Sequence, residues 1–230
     1  YNQILTLPEV NNSDNGIFGE IESLKKVRLP ERLTVISGKM FQNCTNLETI
    51  TFGGQLKTIG EQAFRECESL KTITLPESVE SIGYKAFQDC ISLESVELNE
   101  GLLRIGEAAF YGANFGKADK NTGKVIEYGN LTIPGTVQEI GKDAFGCARY
   151  LREVTFANGK NQTLVVEEGN NAYLGMFGLC ENLERVFLPK RLEKLPYRAF
   201  FQCSNLKMVC IPETITNILY EEASETFYDC

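Results

Sequence analysis

The chain contains no histidine. That removes every Ser–His and Cys–His pair, and with them the side chain most often used as a general base. No Cys-x-x-Cys pair occurs either, and without imidazole to complete a ligand set no zinc site is expected. Phosphate-cradling motifs are missing: neither Gly-x-x-x-x-Gly-Lys-[Ser/Thr] nor Gly-x-Gly-x-x-Gly is present. Basic charge is scarce, with 23 Lys and Arg against 31 Asp and Glu, a formal charge of −8 and a pI near 4.9. Nucleic acid rewards the opposite balance, so it is not expected as a partner. No apolar run approaches the ~18 residues of a membrane span, so none is expected within this chain. The chain opens at Tyr1, inside an irregular coil and without a signal peptide, as a mature or trimmed product would.

What is present is a beat. Nine of the fourteen phenylalanines, Phe18, Phe41, Phe64, Phe87, Phe110, Phe145, Phe177, Phe200 and Phe227, recur at intervals of 23 residues that lengthen only late in the chain. A period of this size marks a solenoid, in which a single coil cannot bury its own apolar face. Counted from the opening position, coils begin at Leu24, Leu47, Leu70, Leu93, Tyr128, Leu151, Leu183 and Leu206. The first half of each, L-x-x-I-x-L, alternates as a half-buried strand does. Strands are therefore expected around Val27, Ile50, Ile73, Val96, Leu131, Val154, Val186 and Val209. Proline follows at Pro30, Pro76, Pro134, Pro189 and Pro212, where a missing N–H closes the strand. In the second half, I-G-x-x-A-F-x-x-C, the spacing places Ile82, Ala86, Phe87 and Cys90 on one face of one or two helical turns. Gly60, Gly83, Gly106 and Gly141 would permit the turn into that helix.

The pattern L-x-x-[IV]-x-L-P-x-x-[VL]-x-x-I-G-x-x-A-F-x-x-C resembles the BspA type of leucine-rich repeat, found in surface proteins of bacteria and some protists. It departs from the pattern at Ser37 and Pro196 in place of glycine, and at Ala113 and Ala148 in place of cysteine. The resemblance implies an α/β repeat: a right-handed leucine-rich-repeat solenoid with a curved parallel sheet and short helical or 3-10 segments on the outer face. About nine coils form a single domain over 1–230. Residues 1–23 make a degenerate, polar N-terminal coil, and eight coils follow over 24–230. Two insertions, near 111–127 and 157–171, interrupt them, the second with an extra extended segment at 163–166.

Eight cysteines would suggest disulfides in an exported chain. Their phase opposes it: Cys44, Cys67, Cys90, Cys180, Cys203 and Cys230 share one inward position. Stacked side chains point the same way, whereas a disulfide needs facing Cβ atoms. Buried free thiols acting as small hydrophobes are expected. Next to the strands, Lys25, Glu48, Lys71, Glu94, Gly129, Arg152, Glu184 and Lys207 form a row of largely alternating charge, read as a register-setting ladder.

The outward strand positions are Thr-rich in the middle coils, at Thr49, Thr51, Thr72 and Thr74. In the last two coils they hold Arg185, Phe187, Met208 and Cys210 instead. Arginine and aromatic residues are common interface anchors, so these four are the candidate protein-binding residues. The carboxylates are spread along solvated positions, so no catalytic activity, cofactor or metal is expected. The resemblance implies a cell-surface or secreted, bacterial adhesion scaffold that binds a host extracellular or other cell-surface protein. The alternative is a non-binding structural spacer presenting another module of a longer surface protein.

Overall fold

The computed structural model describes residues 16–119, 121–159, 163–167, 174–215 and 225–230. The polar run at 11–15 and the lengthened segment at 220–223 lie outside them. The chain winds as a solenoid of about eight turns. Each coil opens with a strand at the expected place: Lys26–Arg28, Thr49–Thr51, Thr72–Thr74, Ser95–Glu97, Val125–Ile133, Leu151–Phe156, Arg185–Phe187 and Met208–Cys210. All pairings between coils are parallel, as at Ile73↔Val96 and Val154↔Val186.

The second half of the coil departs from expectation. Instead of a helix, a two-residue strand follows the proline turn. Val35–Ile36, Thr58–Ile59, Ser81–Ile82, Arg104–Ile105, Glu139–Ile140 and Val165–Val166 form a second, six-stranded parallel sheet. The segment at 163–166 is thus the ordinary second strand of its coil, paired with Glu139–Ile140, and not an addition. Among the described residues, helix is confined to Glu225 and Thr226.

The A-F-x-x-C segment forms tandem tight turns. Within one coil, Ala63, Arg65 and Cys67 N–H donate three residues back, to Gly60, Gln62 and Phe64, at 3.2–3.3 Å. The alternate N–H groups of Gln62, Phe64 and Glu66 donate at 2.8 Å to Tyr84, Ala86 and Gln88 of the next coil. A helix would direct every N–H along its own axis, so it cannot make these bonds between coils. The turn geometry needs left-handed backbone at two residues four apart, as at Gln62 (φ 54°) and Glu66 (φ 61°), or Lys85 (φ 53°) and Asp89 (φ 58°). Each such non-glycine residue costs on the order of 1–2 kcal/mol, offset by the stacking it permits. The apolar spacing of four, one and three fits both geometries, so it could not separate them.

Stacking these turns aligns the rings. All nine phenylalanines form one column with consecutive centroids 5.1–6.1 Å apart and planes within 16°. Phe64, Phe87, Phe110, Phe145 and Phe200 are fully buried. Phe52, Phe115 and Phe156, off the beat in sequence, meet the column at steep angles. Beside it runs a thiol ladder. Cys67 Sγ donates to the Phe41 carbonyl at 3.2 Å, Cys90 to Phe64 at 3.2 Å, Cys180 to Phe145 at 3.3 Å and Cys203 to Phe177 at 3.1 Å. Cysteine is therefore more than a small hydrophobe here: it fills the space and also offers a weak donor to a buried carbonyl.

Glycine at the I-G step serves another purpose than expected. Gly60, Gly83, Gly106 and Gly141 do not adopt positive φ. A Cβ on Gly83 would lie 2.8 Å from Glu61 N and 2.9 Å from Gly60 C of the preceding coil. The coils touch backbone to backbone there. The N–H groups of these glycines, and of Glu167, donate at 2.8–2.9 Å to Ile36, Ile59, Ile82, Ile105 and Ile140. The next residue in this series is Pro196, which has no N–H, and among the described residues no further strand joins the second sheet.

The first insertion forms a hairpin in which Gly116–Ala118 runs antiparallel to the start of Val125–Ile133, closed at Asp119. Asp119 Oδ1 accepts from Asn121 N, Thr122 N and Thr122 Oγ1 at 2.8–3.0 Å. Tyr128, the expected core opening of its coil, is 42% exposed, and Phe115 at 1% lies in the core instead.

Two substitutions test this packing. Phe87→Ala should cost about 3–5 kcal/mol, because stacked neighbours on both sides keep the void open. Gly83→Ala should cost about 1–3 kcal/mol by forcing two backbones apart. Denaturant unfolding midpoints at unchanged slope measure both; a neutral Gly83→Ala would refute the close-approach account.

Candidate functional site

Parallel register carries each outward strand residue onto its counterpart one coil on. Arg185 pairs with Met208 and Phe187 with Cys210, so the four candidate residues form one group on the last two strands. On their other side the register places Glu153 beside Arg185 and Thr155 beside Phe187. Met208 is 39% exposed, Cys210 is exposed, and Phe187 is half-buried.

Arg185 differs from expectation. Its Nε donates to Glu153 Oε2 at 2.6 Å and its Nη1 to Glu184 Oε2 at 3.3 Å. A cation so held contributes apolar and planar surface more than free charge. The patch is thus apolar with a neutralised arginine at its side.

Only the C-terminal part of the charge ladder closes. Glu184 takes Arg152 Nε at 3.1 Å and Lys207 Nζ at 3.0 Å, and these two cations hold its carboxyl below the usual range. Among the described residues, the row Lys25, Glu48, Lys71, Glu94 makes no salt bridge, so the expected register role fails there. Its backbone hydrogen bonds set the register instead, as from Glu94 N to Lys71 O at 2.7 Å.

Sequence reasoning did not find Tyr128 as a surface residue. The Arg152 guanidinium lies 5.7 Å from its ring centroid. The available signal was Phe115, a phenylalanine off the beat just before the coil whose opening position is a tyrosine.

Among the described residues, the remaining titratable groups give no activated nucleophile. Asp143, largely buried, accepts from Gly175 N at 2.8 Å and so pins the return of the second insertion. Burial raises the carboxyls of Asp89 and Asp143, and it also raises the Tyr111 hydroxyl and the Cys147 thiol. The thiol is thereby kept protonated, the opposite of what nucleophilic catalysis needs. Among the described residues, no three His, Cys, Asp or Glu side chains are placed to hold a metal. A notch of about 130 Å³ beside the hairpin is lined by Glu94, Ser95, Gly116, Lys117, Glu127 and Gly129. None of the raised groups reaches it. No described helix is long and apolar enough to cross a membrane.

Comparison with known proteins agrees with this geometry. The family described as BspA type leucine-rich repeat region matches in six copies, over residues 3–119 and 123–230. A leucine-rich repeat protein of Bacteroides ovatus is 25% identical with a TM-score of 0.69, over 93% of this chain and 54% of that one. The chain thus spans about half the length of that relative. The Treponema pallidum (T. pallidum) leucine-rich repeat protein is 26% identical with a TM-score of 0.56, over 72% of this chain and 71% of that one. Among curated proteins, none matches.

The eight cysteines are free. Burial pushes the thiols of Cys67, Cys90, Cys180 and Cys203 upward, that of Cys203 to about 12. Cys230, expected to face inward with the other column thiols, is exposed like Cys210, but its Sγ donates to the Phe200 carbonyl at 2.9 Å and burial raises its thiol. In the native protein a thiol reagent should therefore react fastest at Cys210, more slowly at Cys230, and with all eight after unfolding. Cys210→Ser should abolish the fast phase. A raised folded pKa gives stability that is complete below the unfolded thiol value of about 8.5 and lost as pH rises above it. Each buried thiol should then contribute up to about 1.4 kcal/mol of lost stability per pH unit in that range. Cys67→Ala with Cys90→Ala should flatten the alkaline slope measured by urea unfolding.

Proposed function

Because the chain belongs to the BspA type leucine-rich repeat family, we propose that it is a protein-interaction scaffold, displayed at a cell surface or secreted. Its ligand contacts are made by the open strand face and the loops at its edge. The observation that carries this reading is the change of character along that face. The middle coils present Thr49, Thr51, Thr72 and Thr74, whereas the last two present Phe187, Met208 and Cys210 in adjacent register. An aromatic ring and a thioether at outward positions have no core to fill, and desolvating them against a partner contributes a few kcal/mol, by about 25 cal/mol per Å² of apolar area. Adhesion to a host extracellular or other cell-surface protein is the role that fits such a face.

The test is surface plasmon resonance against a panel of extracellular-matrix and cell-surface proteins. Phe187→Ala with Met208→Ala should weaken any binding about tenfold or more, at an unchanged melting temperature. Arg185 is the poorer probe, since its removal leaves Glu153 unpaired. Undiminished binding by the double variant would remove the patch from the site.

A further inference from the structure

The first insertion exchanges one aromatic residue for another. By coil phase Tyr128 stands where other coils bury a leucine, yet the ring is 42% exposed. Phe115 fills the core in its place, 5.9 Å from the Phe110 ring and 6.1 Å from Phe145. The exchange carries a backbone cost. Phe115 has φ 52°, and among the described residues it is the only left-handed non-glycine residue that falls off the beat of the tandem turns. Isolated strain of this kind points to a constraint other than packing. A plain coil with Tyr128 inside would need neither the strain nor the hairpin.

What the exchange accomplishes is display. Tyr128 stands beside Arg152, and Ile126, the unpaired residue at the register shift between Val125 and Glu127, is 61% exposed, the most of any large apolar side chain described. The five-stranded sheet therefore has an apolar spot at each side: Ile126 and Tyr128 by the hairpin, Phe187 and Met208 at the far end. Strand spacing and rise put Tyr128 on the order of 15 Å from Phe187. The band between them is polar and charge-balanced, with Arg185 closed on Glu153 and Arg152 on Glu184.

We propose that this face is a two-anchor site for an extended polypeptide segment. The segment carries two bulky apolar side chains about four to five residues apart, since an extended chain rises about 3.3 Å per residue. Uncharged polar residues lie between them. A lipid surface or a broad apolar partner would leave the polar band desolvated and unmatched. A polyanion would need cations not already held by carboxylates. This assignment rests on the protein-interaction reading and adds the hairpin and the ligand's spacing to it.

The test selects a displayed library of random 12-residue peptides against the wild-type protein. Enriched peptides should share two aromatic or large aliphatic residues about four to five positions apart. Ile126→Ser with Tyr128→Ser should weaken their binding about tenfold, as should Phe187→Ala with Met208→Ala, neither shifting the melting temperature. Loss with the second pair alone would overturn the two-anchor site while leaving the interaction reading intact. Peptides indifferent to both pairs would remove both readings from this face. Binding to phosphatidylcholine–phosphatidylserine vesicles that is lost with the hairpin pair would replace the peptide by a membrane and overturn the proposal.

Discussion

The whole structure depends on one backbone constraint: alternate N–H groups of each tight-turn segment must reach carbonyls of the next coil. Meeting it forces left-handed backbone at residues such as Gln62 and Glu66 and excludes a helix. It also fixes the distance between coils, and everything at one phase inherits that distance. The phenylalanine rings stack because they are carried along, close to the separation that aromatic faces favour. The thiol of Cys67 reaches the Phe41 carbonyl for the same reason. At the I-G step the same approach leaves no room for a Cβ.

The periodic residues make the architecture legible in the sequence itself. Phe64, Phe87 and Phe110 fixed the coil, and the alternation around Ile73 and Val96 fixed the first sheet. The misreading of the second half has a physical origin. Ile82, Ala86, Phe87 and Cys90 are buried in either geometry, so apolar spacing reports which side chains point inward and not how the backbone brings them there. A glycine required for close approach also looks, in sequence, like one required for a turn. The insertion at 111–127 was readable as a turn around Asp119, but not as an exchange of Phe115 for Tyr128. Phase alone assigns the core position to the tyrosine.

The candidate surface divides in the same way. That Arg185, Phe187, Met208 and Cys210 would be neighbours followed from phase. That Arg185 would be neutralised did not, since Glu153 belongs to a coil lengthened by an insertion. The family relationship accounts for the scaffold, and the shared phase of the cysteines accounts for the free thiols along its column. It does not determine the outward residues, which vary from coil to coil because no packing partner restricts them.

Pro196 has a mechanical consequence. From Val35 to Val166 the coils are riveted along two sheets and a turn column, whereas at the coil of Pro196 the bond that this step makes in the preceding coils is missing, because proline has no N–H. A pulling load entering from the C-terminal side therefore reaches the coil of Pro196, which lacks this bond, before the doubly fastened coils. The coil of Pro196 carries Phe187, and the next opens with Met208. A tether attached through that face would load the coil of Pro196 first, and the doubly fastened coils before it would yield last.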